Sequence, residues 1–387
     1  MAQSFEDLLN NLGKLTPEQY AQLQAWLDKK RKSAEVDKDG GNTFDEKQPC
    51  VHCGSISTKK HGKISGRQRF ICKDCGKTFN TSTGAITSSS RLTPAQWKEL
   101  IRGVIENLPI GEIAKNVGIA RSSAWINKQK ICHALMVLYG KQDNFVDIAE
   151  CDEYYVTVSF KGKRDPDFFI NTLNRMPRHH MTYEQKIEWL MKNGFYDELQ
   201  NDPERLEYLL NSGDEYLRGI SRDQTCILTC QDRSGNLFMS PTCISRPETD
   251  DIKKELQGRF ASDSIIVTDS HNAYPSFAAS ERIQHEQIES GKHANGPFNL
   301  GRINALHSDI SSYWSKSAER TPATKYMDLS LILLWWLRKN KELTVHEKVD
   351  KLYEIIQDQH ITVDALYEDI KNRELKINTK GYFPNKV

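Results

Sequence analysis

Two aspartates set in apolar, β-branched runs have the most chemistry to offer in this chain. Asp152 lies within Glu150-Cys-Asp-Glu-Tyr-Tyr-Val-Thr-Val-Ser-Phe160, and Asp269 ends Ile265-Ile-Val-Thr-Asp269. Such runs have strand character, and a carboxylate inside one is costly unless it is paired or binds a metal. Two of them, far apart in sequence, suit a divalent-cation site of the kind that cuts and joins phosphodiester bonds. Mg²⁺ and Mn²⁺ take oxygen ligands, and pairs of such ions brace the attacking and leaving oxygens. Taken singly, each can equally be a strand-end aspartate that caps a turn. Farther on, Arg302-Ile-Asn-Ala-Leu-His-Ser308 opens a helix predicted to reach residue 317. Its period puts Ile303, Leu306, Ile310, Trp314 and Ser317 on one side and Asn304, His307, Ser308 and Ser311 on another. Asn304 and His307 therefore share a face that can turn toward the aspartates, and Asp309 lies off it.

A second chemistry belongs to cysteine. Cys50-Val-His-Cys53 and Cys72-Lys-Asp-Cys75 are two C-x2-C knuckles with 18 residues between Cys53 and Cys72. Four thiolates at this spacing close a tetrahedral Zn²⁺ shell. Gly54 and Gly76 follow the knuckles and suit the tight turns, a turn is expected from Gly62 to Gly66, and Arg69-Phe-Ile71 reads as a short strand. That is the plan of a zinc ribbon, in which the metal holds a fold too small to bury a core. His52 can substitute as a ligand, but four cysteines suffice. Cys132, Cys151, Cys226, Cys230 and Cys243 show no ligand spacing and read as small buried hydrophobes.

Thr93-Pro-Ala-Gln96 is a capping box with proline at the first helical position. It opens an amphipathic helix through Trp97, Leu100, Ile101, Val104 and Ile105. The stretch from Pro109 to Ile126 reads as a helix-turn-helix, with Ile113 and Ala114 inward, Gly118 at the turn, Ile119 buried, and a second helix from Ala120 whose Ala124 and Ile131 lean inward. Arg121, Ser122, Ser123, Asn127 and Lys128 are expected on or near the outer face, at the end that reads base edges in this motif. The competing reading is a plain helical hairpin with a polar face.

The elements that position these groups need room, and 387 residues with 38% hydrophobic content allow two or three domains with a buried core. The opening Met-Ala-Gln-Ser-Phe-Glu-Asp has no basic segment followed by an apolar run, so no secretory signal is expected. Leu329 to Leu337 is too short to span a bilayer and reads as a buried helix. Nine cysteines without an export signal point to thiols or metal ligands in a reducing, cytoplasmic setting. A net charge of +1 hides an asymmetry: residues 50–141 carry a net +11 and residues 165–217 a net −6. The basic block is the electrostatic footprint of a nucleic-acid partner, with a solvated face as the bland alternative.

Downstream of Asp152 the expected order is strand (148–160), an interruption, strands (224–230 and 236–244), helix (248–260) and a strand (264–269) ending in the second acid. That is the order of a ribonuclease-H-like α/β domain. At this point the chain resembles the DDE-type transposases of bacterial insertion sequences, in particular insertion-sequence family 1595. The residues that carry the resemblance are the four cysteines with Arg69-Phe-Ile-Cys-Lys-Asp-Cys-Gly-Lys-Thr-Phe79; Asp152-Glu-Tyr-Tyr155 with Ser159-Phe-Lys-Gly-Lys163; Gly219-Ile-Ser221 with Asp232-Arg233; Thr268-Asp269 with Tyr274; and Ile303-Asn-Ala-Leu-His-Ser308 with Ala323-Thr-Lys-Tyr326. It covers roughly residues 45 to 340, with motifs that are specific in combination and weak singly. The resemblance implies a zinc ribbon, a helix-turn-helix and a ribonuclease-H-like catalytic domain acting on double-stranded DNA, at element ends and target, with Asp152 and Asp269 as the first two ligands of catalytic Mg²⁺ or Mn²⁺. It leaves the third position between Asn304 and His307. Asn304 offers the oxygen that Mg²⁺ prefers, which makes it the favoured ligand and His307 a general acid/base or phosphate contact. Position 314, where the family commonly has a basic residue, is Trp. A homo-oligomer on DNA and association with the bacterial nucleoid are further implications.

The predicted architecture is thus multidomain α+β: a helical hairpin (1–32), a linker (33–48), the zinc ribbon (49–82), the helix-turn-helix (91–140), the catalytic domain (147–340) with a helical insertion (165–217), and a C-terminal helical tail (341–387). The hairpin, with its seam of Leu8, Leu12, Leu23, Trp26 and Leu27, suits dimerisation or packing on its own domain. Three functions fit. The leading one is a transposase; a zinc-dependent DNA-binding regulator descended from an inactive transposase is the rival; a nuclease without strand transfer shares the metal site.

Overall fold

The computed structural model describes residues 48–64, 67–80, 82–88, 90–177, 180–211, 220–292, 294–316, 322–357, 370 and 372–379. The expected hairpin at 1–32 and nearly all of the linker lie outside them, as do the last residues of the expected tail. The chain divides after Ser88 into two compact units, a mixed α+β architecture.

The first unit contains a three-stranded antiparallel sheet of β1 (Thr58–Ile64), β2 (Arg67–Cys72) and β3 (Thr78–Asn80). The expected turn at Gly62 to Gly66 gives way to a longer strand: β1 runs to Ile64, and Gly62, at φ +73°, marks an irregularity where the register shifts between Lys60 and Lys63. Glycine in that left-handed conformation lets a strand bulge and continue. Its apolar cluster is only Cys50, Phe70, Cys72 and Phe79, with the two phenylalanine rings stacked 5.6 Å apart.

The second unit opens with α1 (Pro94–Ile105), α2 (Ile110–Val117) and α3 (Arg121–Tyr139). Thr93 caps α1 as its sequence requires: its hydroxyl accepts the Gln96 amide, and the Gln96 side chain accepts the Thr93 amide. Gly118 ends α2 at φ +74°, the left-handed cap that lets the chain turn into α3. Next come β4 (Ile148–Thr157), the inserted helices α4 (Tyr183–Lys192), α5 (Tyr196–Leu199) and α6 (Pro203–Asn211), and the hairpin of β5 (Gln224–Asp232) and β6 (Leu237–Ile244). Then α7 (Thr249–Leu256), β7 (Ile265–Thr268), α8 (Ala273–Glu281) and β8 (Gln284–Gln287) precede α9 (Gly301–Lys316), α10 (Met327–Lys339) and α11 (Val345–Ile356).

Five strands form one sheet in the order β6-β5-β4-β7-β8. The first three are antiparallel, and β7 and β8 add in parallel beyond β4. Parallel addition needs crossovers, supplied by α7 between β6 and β7 and by α8 between β7 and β8. Alternation sorts the faces. Ala149, Cys151, Leu228, Cys230 and Ile266 pack with Ile252 and Leu256 of α7 and Tyr274 and Phe277 of α8. The opposite face meets α9, through bonds from Glu150 and Thr229. Trp335 of α10 donates to the Leu237 carbonyl, and Trp125 of α3 meets Tyr326 edge-on beside the start of α10. Lys98 of α1 pairs with Asp350 of α11.

The insertion is helical and has its own small core of Ile170, Met176, Leu190, Leu199, Leu209 and Leu210. One cysteine expectation is corrected. Cys151 and Cys230, read as thiols, are directly opposite in the β4/β5 register and are joined by a disulfide. In antiparallel strands a cross-strand pair brings two β-carbons within reach of one another, a neighbourhood that cysteine spacing does not reveal. Among the described residues no helix is long and apolar enough to cross a membrane.

Candidate functional site

Asp152 and Asp269 meet through sheet register. Ile148 pairs with Ile265 and Glu150 with Val267 in the parallel β4/β7 ladder. The ladder ends there; Asp152 lies two residues farther along β4, and Asp269 is the first residue after β7 ends at Thr268, so both acids lie just beyond the last rung. Electrostatics agree with the geometry. Burial pushes the Asp152 carboxyl up to about 6, and the negative charge of Asp269 adds to the rise, against the opposing hydrogen bond from the Glu153 amide. Asp269 is exposed, and its carboxylate accepts the His271 amide at 2.9 Å.

The α9 face carries the other two expected residues. The Thr229 hydroxyl donates to the Asp152 carbonyl at 2.7 Å and lies 2.8 Å from His307 Nε2. A hydroxyl has one proton; with that proton committed to the carbonyl, His307 must be the donor through Nε2–H. The imidazole also lies against the Tyr154 ring, centroids 5.2 Å apart, and burial lowers its pKa to about 4. His307 is thereby a neutral, seated group that anchors α9 to the sheet. Asn304, one turn earlier on the same face, is exposed.

Sequence reading assigned no role to Glu150 or Glu153, yet both organise this site. Glu150 is 3% exposed, and its carboxylate accepts the amides of Arg302 and Ile303 at 2.8 and 3.1 Å. It thus caps the helix that carries Asn304 and His307. Burial raises its pKa even though those amides and the Arg302 charge pull it down. Glu153 points to the other face, where the buried Tyr274 hydroxyl donates to it at 2.6 Å. Burial, and then the charges of Asp152 and Asp269, push Glu153 up to about 7. The available signal was three acids, at 150, 152 and 153, inside one apolar strand.

Asp152, Asp269 and Asn304 each offer oxygen, the donor that a hard divalent cation prefers. The Asp152 carboxyl, raised by burial and by the charge of Asp269, is a group whose cost such a cation would relieve.

The four knuckle cysteines converge. Cys50 and Cys75 sulfurs are 3.6 Å apart, as are those of Cys53 and Cys72, and all four lie within 4.8 Å of one another. Thiolates about 2.3 Å from a tetrahedral Zn²⁺ stand about 3.8 Å apart, so the set can hold zinc. Gly54 and Gly76, at φ +74° and +70°, turn each knuckle back, and their amides bond the carbonyls of Cys50 and Cys72.

On α3, Arg121, Ser122 and Ser123 are together on the exposed first turn, and Lys128 is half-buried. Asn127 corrects the expectation: it is 9% exposed. Trp125, two positions earlier and on nearly the opposite side of the helix, packs on Tyr326.

No family model matches the chain. Over 115 residues it is 27% identical to an uncharacterized protein in transposable element ISH50 of Halobacterium salinarum, a stretch that is 30% of this chain and 38% of that relative. The likeness connects the chain to a transposable element and reaches no particular activity.

Two outcomes are expected. Stripping metal with a chelator should release about one zinc per chain and expose the Phe70 and Phe79 amides to hydrogen exchange; protection that survives in metal-free protein would contradict a zinc-held ribbon. Glu150→Ala leaves two buried amides unsatisfied, so it should lower unfolding stability by about 2–4 kcal/mol and speed exchange at Arg302 and Ile303. Unchanged exchange there would show that Glu150 does not seat the helix.

Proposed function

We propose that this protein is a DNA transposase that binds the ends of an insertion sequence and catalyses metal-dependent strand cleavage and strand transfer. The observation that carries the reading is the closeness of Asp152, on β4, to Asp269, just after the adjacent β7, in a sheet whose order, three antiparallel strands followed by two parallel ones, is that of a ribonuclease-H-like domain. The relative in a transposable element supports it, as do a cysteine cluster fit for zinc and a basic N-terminal half.

In this reading Asp152, Asp269 and the Asn304 amide hold divalent cations, Mg²⁺ or Mn²⁺, which would supply activation of water or a DNA 3′-hydroxyl and stabilisation of the leaving oxygen. The chain's own groups do the positioning. Glu150 fixes the start of α9, His307 ties its next turn to Thr229, and Thr229 holds the backbone of Asp152. With its Nε2–H engaged and its pKa near 4, His307 serves as this anchor and not as the general acid/base expected from sequence. Arg121, Ser122, Ser123 and Lys128 are the DNA-facing candidates of α3, and assembly as a homo-oligomer on DNA belongs to the same proposal.

One observation favours the second reading, a DNA-binding regulator descended from an inactive transposase. Asn304 stands where a third acid would complete a carboxylate set, and a neutral ligand holds a cation less strongly.

Purified protein incubated with Mg²⁺ or Mn²⁺ and DNA carrying its flanking sequences should cut at a defined end. Loss of a metal ligand removes several kcal/mol of transition-state stabilisation, so Asp152→Ala should reduce cleavage about a thousandfold, and Asn304→Ala should reduce it by a smaller factor. Tight binding with no cleavage under either ion would establish the regulator instead.

A further inference from the structure

The chain leaving β4 makes a cationic corner that the site does not use. Ser159-Phe-Lys-Gly-Lys-Arg164 is tied to Thr324: the Ser159 amide donates to the Thr324 hydroxyl at 2.9 Å, and the Thr324 amide donates to the Ser159 carbonyl at 2.8 Å. Thr324 is 2% exposed, so the junction is fixed. It brings Lys325 over the loop. Gly162, at φ +81°, passes so close that a β-carbon there would be 3.6 Å from the Lys325 ammonium.

Lys161 and Arg164 are exposed, and Lys163 and Lys325 are half-buried beside them. Partial burial and then the positive charges of Lys163 and Arg373 hold Lys325 below its usual range. Two of the acids nearby are ion-paired, and the third is hydrogen-bonded to a neutral amide and keeps its charge. Asp165 lies 3.4 Å from Lys163, Asp167 accepts from Asn171, and Asp328 takes the Arg373 guanidinium. Among the described residues, Lys161, Arg164 and Lys325 have no ion pair. With Lys163 and Arg373 close to Lys325, cations outnumber acids around this fixed junction, which suits an anion of extended shape.

The same corner adjoins α3. Lys325 sits 5.0 Å from the Tyr326 ring centre, and Tyr326 meets Trp125 at 5.3 Å, one turn from the exposed Arg121. On the other side, β4 leads back from Thr157 to Asp152, about 17 Å at strand rise, on the order of five base pairs of duplex.

We propose that Lys161, Arg164 and Lys325 form a phosphate-backbone clamp for duplex DNA flanking the reacting bond, continuous with the exposed first turn of α3. This rests on the reading of the protein as DNA-binding and adds the path that DNA takes over it. Phosphate contacts carry no sequence preference and fix register and orientation.

The test is fluorescence anisotropy with a mixed-sequence 30-base-pair duplex, titrated from about 50 to 200 mM salt, a range over which phosphate contacts dominate affinity. The 387-residue chain is compared with Lys161→Gln/Arg164→Gln and with the triple variant that adds Lys325→Gln. Each lost contact should flatten the slope of log affinity against log salt by about one. The expected changes are thus about two for the double variant and about three for the triple. Lys161 and Arg164 are exposed, so the double variant reads the clamp even if the triple variant fails to fold. Wild-type binding with unchanged slopes in both variants would overturn the clamp and leave DNA binding standing. A wild-type chain that binds no duplex at either salt would overturn both.

Discussion

Keeping three carboxylates on one buried strand is the constraint from which the rest of the second unit follows. Glu150, Asp152 and Glu153 lie on β4, between β5 and β7 in the middle of the sheet. A charge taken out of water there is costly unless it is hydrogen-bonded or paired. Glu150 is answered by two backbone amides of α9, and Glu153 by the Tyr274 hydroxyl of α8. Among the described residues Asp152 is answered by the amide of its neighbour Glu153, and it feels the charge of the Asp269 carboxylate. The acid left least satisfied is the one best placed to take a cation.

These bonds also assemble the surroundings. Glu150 and Glu153 project to opposite faces of the strand, so one draws in the helix bearing Asn304 and His307 and the other the helix that follows Asp269. Thr229, directly opposite Asp152 in the β4/β5 register, joins the strand's backbone to His307. The Cys151–Cys230 disulfide fixes the neighbouring rung of the same ladder. The geometry of the two aspartates therefore depends on sheet register and on the packing of both layers.

Much of this was legible where the signal is local. The Thr93–Gln96 capping box, the turn glycines of the two knuckles, and the strands carrying Asp152 and Asp269 all depend on residues within a few positions of one another. What was missed depends on partners distant in sequence. Glu150 looks like any strand acid until Arg302 is beside it, and Cys151 like a buried thiol until Cys230 faces it. Asn127 was assigned outward by helical period, but that period cannot show which side of a helix the rest of the fold covers. The α8 helix and β8 strand escaped notice because Ala273–Glu281 is not amphipathic, and Gln-His-Glu-Gln at 284–287 has no apolar alternation. His307 was weighed as a reactive group, and its bond to Thr229 is visible only once the sheet and the helix are together.

The central claim is that Asp152 and Asp269 make one divalent-cation site, and calorimetric titration of Mn²⁺ into the zinc-loaded protein tests it most directly. The account predicts saturable binding that strengthens as pH rises through about 6, where Asp152 gives up its proton, and that disappears in both Asp152→Ala and Asp269→Ala. Equal Mn²⁺ binding by wild type and either variant would contradict it.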